Sequence, residues 1–195
     1  MLFRSKNRDL SGKIVLDIGA NIGDSSINFA RKGARVISFE PLKILHEYLK
    51  KNVTNNNLGS NIDIHYVGLS NKNEKVNVWI KKDGTACASP IFHEKNMKDA
   101  KLGRELSTME LVAATDYITK LNLPSIDILK MDCEGSEYNI LTEEFLNKIR
   151  PKEVMMEYHL GPSPLIKVFK KCGYKINLIS KHGDNVGLIF AEAGL

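Results

Sequence analysis

Two short segments of this chain carry carboxylate and imidazole groups at spacings that suit proton transfer. In the first segment, Asp132 and Glu134 stand two positions apart, directly after an apolar stretch. Neighbouring carboxylates at a cleft are costly unless a cation, a proton or a ligand satisfies them. We therefore predict that both are catalytic, with Asp132 as the general base or as the group that orients the substrate. The nearby Glu137 and Ser136 also have structural explanations, as an offset to a helix dipole and as an N-cap.

The second segment is Glu157-Tyr158-His159. Residues 157 and 159 of a strand point to one face, and residue 158 points to the other. His159 titrates near neutrality, so it is either a third catalytic residue, acting as a base, or a hydrogen-bonded residue at the rim of the site. Carboxylates together with His159 could also gather a divalent metal ion. No spacing in the sequence demands a metal, and we assign no metal ligands.

A turn that contains two glycines predicts where a ligand binds. Residues 14–23 have the pattern of a buried strand that runs into a turn with Gly19 and Gly23. Gly19 can adopt backbone angles that other residues avoid, and Gly23 lets the next helix pack close to the strand. Such a turn presents bare backbone amides at a helix N-terminus. A second strand, predicted at 34–39, delivers Glu40 at its end, and this carboxylate can accept hydrogen bonds from both hydroxyls of a ribose. These features predict a nucleoside-binding α/β enzyme.

The spacing of this turn argues against a dinucleotide. Dehydrogenases need the pattern G-x-G-x-x-G, in which the middle glycine admits the pyrophosphate, and here Asn21 takes that place. The pattern Asp17-x-Gly19-x-Asn21-x-Gly23 instead resembles the first motif of class I methyltransferases, which use S-adenosylmethionine.

The composition is that of an ordinary globular protein with a single domain over residues 1–195. Hydrophobic residues make up 43% of the 195 positions and charged residues 26%, which suffices for a three-layer core. The net charge of +5 is compatible with an anionic substrate or nucleic acid, although a solvated basic surface explains it more simply. Three cysteines without C-x-x-C spacing indicate neither disulfides nor zinc. No signal peptide or membrane span is predicted, so we expect a cytoplasmic protein.

The predicted elements alternate between strands and helices and end in an antiparallel pair. This order predicts a Rossmann-like, doubly wound α/β fold, in which a seven-stranded, mostly parallel sheet with an antiparallel last strand forms a three-layer sandwich. Strands are predicted at 13–19, 34–39, 62–70, 126–132, 154–158, 174–180 and 185–192, and helices at 23–32, 41–51, 115–121, 136–149 and 164–172, with Thr115 as the cap of the third. Half-exposed strands around 76–80 and 111–114 interrupt this order. Residues 1–12 form a polar lead-in that could cover the site, and residues 83–106 form a long excursion beside it.

The chain resembles the FkbM family of S-adenosylmethionine-dependent methyltransferases from about residue 13 to about residue 160. The resemblance rests on Val15-Leu-Asp-Ile-Gly-Ala-Asn-Ile-Gly23, Phe39-Glu-Pro41, Gly68-Leu-Ser70 and Lys130-Met-Asp-Cys-Glu-Gly-Ser-Glu137. It implies that the cofactor S-adenosylmethionine is held by Asp17, Gly19, Ala20, Asn21, Gly23, Glu40, Pro41, Leu69 and Ser70.

The resemblance also implies a role for each part of this set. The turn around Gly19 would hold the methionine part of the cofactor, Glu40 the ribose, and Pro41 would lie beside the adenosine. Leu69 would lie against the adenine. Many class I enzymes place an acid at this point to bind the adenine amino group, and here Ser70 or backbone carbonyls must serve instead.

Three functions stay open at this stage. The family is best known for O-methylation of hydroxyls, which predicts a small-molecule or sugar acceptor whose specificity resides in residues 1–12, 83–106 and the segment after His159. An RNA or protein methyltransferase is the alternative that the basic charge allows. Against it stand the absence of an RNA-binding module and of the Asn/Asp-Pro-Pro-aromatic motif of many amino-group methyltransferases. The third is a cofactor-binding protein without catalysis, against which Asp132 and Glu134 argue.

Overall fold

The computed structural model describes residues 8–81, 104–183 and 185–194, and its main feature is a twisted sheet with helices on both faces. The strands in these ranges are β1 (Ile14–Ile18), β2 (Arg35–Phe39), β3 (Ile62–His65), β4 (Gly68–Ser70), β5 (Glu74–Lys81), β6 (Arg104–Ala113), β7 (Ile128–Met131), β8 (Glu153–Tyr158), β9 (Tyr174–Lys181) and β10 (Gly187–Ala193). The helices are α1 (Asp24–Ala30), α2 (Lys43–Asn55), α3 (Ala114–Lys120), α4 (Glu137–Ile140), α5 (Glu143–Ile149) and α6 (Ser163–Lys171). None of the helices in the described ranges is long and apolar enough to cross a membrane.

Seven of the strands form the main sheet, in the order β3-β2-β1-β7-β8-β10-β9. The pairs from β3 to β8 are parallel, and β10 runs antiparallel to both of its neighbours. The predicted seven-stranded, doubly wound α/β sheet with an antiparallel last strand is therefore confirmed. Strand β1 lies in the middle with all five residues buried, as expected of a parallel strand covered on both faces.

Each face of the sheet packs against its own set of helices. Successive residues of β1 point to opposite faces of the sheet and belong to two different hydrophobic cores. Val15 packs with Phe29 of α1 and Leu49 of α2, whereas Leu16 belongs to the cluster that contains Phe145 of α5. All of these side chains are fully buried, and each contributes about 1.5–3 kcal/mol through removal from water. The two cores fix the sheet between helical layers, which is the predicted three-layer arrangement.

Two helix predictions need correction. The helix predicted over 136–149 is divided into α4 and α5, because Thr142 adopts an extended conformation and its hydroxyl accepts a hydrogen bond from the Phe145 amide at 3.1 Å. This is an N-cap that starts a new helix. Thr115 does not cap α3 but lies inside it, and the N-cap position is Ala113, without a side-chain capping bond.

A second, smaller sheet was not predicted. Residues 62–70 are not one strand, because the chain leaves the main sheet after His65. Gly68–Ser70 instead pairs in parallel with Leu111–Ala113, and β5 pairs with β6 in the antiparallel direction. Strand β6 extends from Arg104, well before the predicted start at residue 111. Most of the predicted excursion 83–106 lies outside the described residues.

The described part of the lead-in, residues 8–12, lies at the amino edge of the sheet. Leu10 is completely buried, and its amide donates to the Lys32 carbonyl after α1 at 2.8 Å. The Arg8 guanidinium forms an ion pair with Glu153, the first residue of β8. Because this edge is opposite the carboxyl ends of the strands, residues 8–12 do not cover the predicted site. Residues 1–7 lie outside the described residues.

Candidate active site

Four neighbouring strands of the main sheet end at one edge, and each is followed by a residue of the predicted site. Strands β2, β1, β7 and β8 are parallel neighbours. Directly after them come Glu40, Gly19, Asp132 and His159. In open α/β sheets, ligands bind in the crevice at the carboxyl ends of the strands. The topology thus gathers the glycine turn, the predicted ribose-binding acid and the acidic segment at one edge.

Gly19 lies where the turn after β1 touches the end of β7. Its φ is +76°, and a Cβ at this position would be 1.9 Å from the backbone oxygen of Asp132. Gly23 also has a positive φ, and a Cβ there would be 2.6 Å from a methyl carbon of Leu49 in α2. Gly23 therefore makes room for α2, whereas the sequence predicted close packing of the following helix on the strand.

This close contact predicts a large difference between two glycine substitutions. Gly12 has φ +73°, and a Cβ there would meet nothing within 4 Å. We expect Gly12→Ala to lower the free energy of unfolding by about 1–2 kcal/mol, the strain of a left-handed residue. Gly19→Ala carries the same strain and also collides with backbone, so we expect at least twice that loss. Urea unfolding of both variants measures the difference, and equal losses would contradict the close contact.

The backbone amides of the turn are already hydrogen-bonded within the protein. The amides of Gly19 and Ala20 donate to the Phe39 carbonyl at 3.1 and 3.0 Å. The Asn21 amide donates to the Glu40 carboxylate at 2.9 Å, and Asn21 has φ 53°, which asparagine tolerates better than most residues. The prediction of bare amides is therefore wrong at these three positions. Their role is to fasten the turn to the end of β2.

Glu40 is a buried carboxylate, 4% exposed. One oxygen accepts the Asn21 amide and the other accepts the Leu42 amide, each at 2.9 Å. Removal from water raises the pKa of Glu40 to about 7, although the two amide bonds and the charge of Lys130 oppose this rise. Each carboxylate oxygen has a second lone pair, so the group can still accept the two hydroxyls of a ribose.

Asp17 and Lys130 form a buried ion pair between β1 and β7. The Lys130 ammonium is 2.9 Å from Asp17 and donates to the Gly19 carbonyl at 2.8 Å. The other Asp17 oxygen accepts the hydroxyls of Ser25 and Ser26 at 2.6 Å. Because Asp17 is 0% exposed, its side chain offers no surface to a ligand. In the unliganded chain this carboxylate positions the turn, and its implied contact with the cofactor stays a prediction.

The carboxylate of Glu137 holds the backbone of the loop that carries Asp132 and Glu134. Glu137 is fully buried, and its carboxylate accepts the amides of Cys133 at 2.9 Å and Gly135 at 2.8 Å. Ser136 occupies the N-cap position of α4, but its side chain makes no capping bond. Glu137 therefore does more than offset a helix dipole, because it shapes the loop that carries Asp132 and Glu134.

The three predicted catalytic side chains meet at this loop. The Nε2 atom of His159 is 3.9 Å from an Asp132 oxygen and 3.5 Å from a Glu134 oxygen. The side chains of Asp132 and Glu134 are each 32% exposed, whereas that of His159 is 10% exposed. The Nδ1 atom of His159 lies 3.2 Å from Glu137. The sequence prediction that these residues share one site agrees with this geometry.

The electrostatics of His159 do not suit a base. Burial alone lowers its pKa, but the hydrogen bond to Glu137 and the charges of Glu137, Glu134 and Asp132 outweigh burial and raise the pKa to about 9. A ring with this pKa is protonated at neutral pH in the unliganded chain. This charge disfavours His159 as the base in the unliganded chain, so we predict the carboxylates of Asp132 and Glu134 as the proton acceptors.

Of the residues implied to lie near the adenosine, Pro41 is accessible at the crevice and Leu69 and Ser70 are buried. Pro41 follows Glu40 and is partly exposed, as its predicted position beside the adenosine requires. Leu69 and Ser70 are 2% and 3% exposed, because both belong to the small sheet. Both side chains are buried in the unliganded chain, and their implied contacts with the adenine stay predictions. The half-exposed Tyr66 is the better candidate: partial burial and then the charge of Glu40 raise its phenol pKa.

Lys130 is the main residue that sequence reasoning missed. It is 4% exposed in β7, a strand whose other residues are apolar. A single lysine in such a strand is itself a signal, because lysine is almost never fully buried without a partner. The partner, Asp17, also lies in an otherwise apolar strand that pairs directly with β7.

Comparisons with known proteins agree with this arrangement. The model of the methyltransferase FkbM domain matches residues 17–176. Methyltransferase sdnD of Sordaria araneosa is 28% identical over 156 residues, which are 67% of this chain and 60% of that protein. Among solved structures, the methyltransferase FkbM from Methylobacillus flagellatus aligns with a TM-score of 0.62 at 20% identity, over 97% of this chain and 46% of that chain. The O-methyltransferase from Bacillus cereus in complex with S-adenosylhomocysteine aligns with a TM-score of 0.56 at 13% identity, over 93% of this chain and 74% of that chain.

The chain thus spans 60% of sdnD and 46% of the Methylobacillus chain. The match to the family model covers most of this chain. It begins at Asp17 in β1, includes the glycine turn, the loop with Asp132 and Glu134, and His159, and ends at residue 176. It includes the whole crevice edge described above. By this match the chain belongs to the methyltransferase FkbM domain family.

Proposed function

We propose that this protein transfers a methyl group from S-adenosylmethionine to a hydroxyl group of a small molecule or a sugar. The observation that carries the proposal is the position of two groups along one sheet edge. Glu40, held by backbone amides, stands at the end of β2, and the carboxylates of Asp132 and Glu134 stand at the end of β7, two strands away. The first is suited to a ribose and the second to the proton of an acceptor.

The cofactor is proposed on the geometry of the β2 end. Glu40 and Tyr66 directly follow the parallel neighbours β2 and β3, so a ribose and a base can be bound side by side. The structural relative from Bacillus cereus carries S-adenosylhomocysteine, which supports the choice of nucleoside. Asn21, in place of the glycine that a pyrophosphate needs, argues against NAD.

The chemistry follows from what each group can do. The cofactor supplies the methyl carbon, and the protein must hold the acceptor oxygen in line with it. We assign Asp132 as the carboxylate that orients the acceptor hydroxyl and takes its proton, with Glu134 beside it. Lys130 and Asp17 act indirectly, since they fix the Gly19 carbonyl and hence the turn that faces the donor.

The pKa of Glu40 gives this proposal a quantitative test. Ribose hydroxyls bind more strongly to an ionised carboxylate than to a neutral one. With a pKa of about 7, Glu40 is mostly protonated at pH 6 and mostly ionised at pH 8. If only the ionised form binds, the affinity for S-adenosylhomocysteine rises about tenfold from pH 6 to pH 8. Calorimetric titration at both pH values measures this change.

Glu40→Gln is the matched variant for this titration. The charges that act on Glu40, those of Lys130 and Asp17, remain in the variant, and only the titrating carboxylate is lost. We expect weaker binding with no tenfold rise between the two pH values, and no saturable binding of NAD to either protein. Equal affinity of variant and wild type for S-adenosylhomocysteine, or a preference for NAD, would refute the proposed cofactor site.

A further inference from the structure

We infer that Asp132, Glu134 and the Nε2 atom of His159 form a binding site for one divalent cation of the Mn²⁺ class. This inference deepens the proposed function and rests on it for its catalytic meaning. No metal-ligand spacing is visible in the sequence, because the three residues come from the ends of two different strands, β7 and β8. Only the parallel pairing of these strands brings the ligand atoms together.

The distances suit three ligands of one ion. One ligand atom from each residue can be chosen so that all three lie within 4.8 Å of one another. The two distances from Nε2 are 3.9 and 3.5 Å. Ligand atoms that share an ion at about 2.1 Å lie about 3 to 4 Å apart. Both carboxylates are one third exposed, so small rotations of their side chains bring all three atoms onto one ion.

His159 is oriented as a metal ligand would be. Its Nδ1 atom is bound to the carboxylate of Glu137 at 3.2 Å, and Glu137 is fixed by two backbone amides. Metal-binding histidines characteristically use their second nitrogen to bond such a carboxylate. The His159 side chain is 10% exposed, and its Nε2 atom lies 3.9 Å from Asp132 and 3.5 Å from Glu134. A largely buried ring that directs one nitrogen at two carboxylates, while a third carboxylate fixes the other nitrogen, distinguishes this cluster from a merely acidic surface.

The ligand set indicates which ions fit. Two carboxylates favour hard cations such as Mg²⁺ and Mn²⁺, and an imidazole favours Mn²⁺ over Mg²⁺. Three protein ligands leave positions for water and for an oxygen of the acceptor. A cation at this point would bind the acceptor hydroxyl and make it more acidic. Since one oxygen of Asp132 suffices for the cation, the other remains free to take the hydroxyl proton.

Manganese(II) alone is the probe for this site. Histidine binds metals as the neutral imidazole, so the titration is carried out at about pH 8.5, where protons compete less with the metal than at neutral pH. The electron paramagnetic resonance signal of free Mn²⁺ reports binding, and the electron spin echo modulation from a directly bound nitrogen reports the imidazole. We expect saturable binding of one ion per chain with a nitrogen coupling. His159→Gln should abolish the coupling, and both His159→Gln and Asp132→Asn should weaken binding at least about tenfold.

A distant carboxylate provides the control for these variants. Glu143 lies on α5, is 46% exposed and pairs with Lys171, so Glu143→Gln should bind Mn²⁺ like the wild type. Absence of saturable binding, or binding with no nitrogen coupling in the wild type, would overturn the inference. The affinity for S-adenosylhomocysteine, measured on the same samples, separates the two proposals. A protein that binds S-adenosylhomocysteine but not Mn²⁺ refutes the cation site alone, and one that binds Mn²⁺ but not S-adenosylhomocysteine refutes the cofactor alone.

Discussion

Replacement of Asp132 by Asn should lower methyl transfer by about two to four orders of magnitude, the range that a general base contributes. Asparagine has the shape of aspartate but cannot take a proton, and position 132 is one third exposed, so the fold should persist. The affinity for S-adenosylhomocysteine should stay within a few fold, because Glu40, the proposed ribose ligand, lies two strands away. The measurement is the rate of S-adenosylhomocysteine formation with a hydroxylated acceptor that the wild type methylates.

The control for this experiment is again Glu143→Gln, which removes a somewhat more exposed carboxylate outside the crevice and should leave the rate unchanged. Wild-type turnover in Asp132→Asn would disprove the assignment of the proton acceptor. Loss of S-adenosylhomocysteine affinity together with turnover would place Asp132 in the cofactor site instead.

Replacement of Lys130 by Met should lower the free energy of unfolding by about 3–5 kcal/mol, the loss expected when a buried charge loses its partner. Burial lowers the pKa of Lys130, but the charges of Asp17 and Asp132 outweigh it and hold the pKa above its ordinary value. The ammonium therefore stays charged opposite Asp17. In the variant, methionine replaces most of the apolar part of the lysine side chain but carries no charge. Urea unfolding of the variant measures the loss.

Two further variants show whether the effect belongs to this ion pair. Arg35 and Asp63 form an exposed pair on the same sheet, 56% and 51% exposed, and Arg35→Ala should change the stability by no more than about 1 kcal/mol. The double variant Asp17→Asn with Lys130→Met should lose less than the sum of the two single variants. Additive losses, or a loss in Lys130→Met as small as that in Arg35→Ala, would contradict a coupled buried pair.

The features that sequence reasoning predicted are those governed by short-range rules. A buried apolar strand followed by glycine is recognisable from residues 14–19 alone, and a right-handed crossover fixes the next parallel neighbour. Because parallel strands end at a common edge, their order predicts that Glu40, Asp132 and His159 lie together. The antiparallel last strand was also predictable. The connection between β9 and β10 has no helix, and strands joined by such a short turn pair in the antiparallel direction.

The features that sequence reasoning did not predict depend on contacts between distant segments. Nothing local to Leu69 and Ser70 shows that their strand pairs with residues 111–113 rather than with the main sheet. The pattern of apolar residues continues from α4 into α5, so only the extended backbone of Thr142 separates the two helices. Likewise, the pKa of His159 depends on Glu137, a residue that lies 22 positions earlier in the chain.

The contact of Gly19 with the Asp132 carbonyl bears on how such an enzyme can diversify. It joins the glycine turn to the loop that carries Asp132 through main chain alone, with no room for a Cβ between them. If the proposed function holds, the separation of methyl donor and proton acceptor is independent of the side chains that contact the acceptor. In-line displacement loses about a hundredfold in rate for a misplacement of about 1 Å. Substitutions that admit a new acceptor can therefore accumulate around this edge while the alignment of the reacting atoms is inherited unchanged.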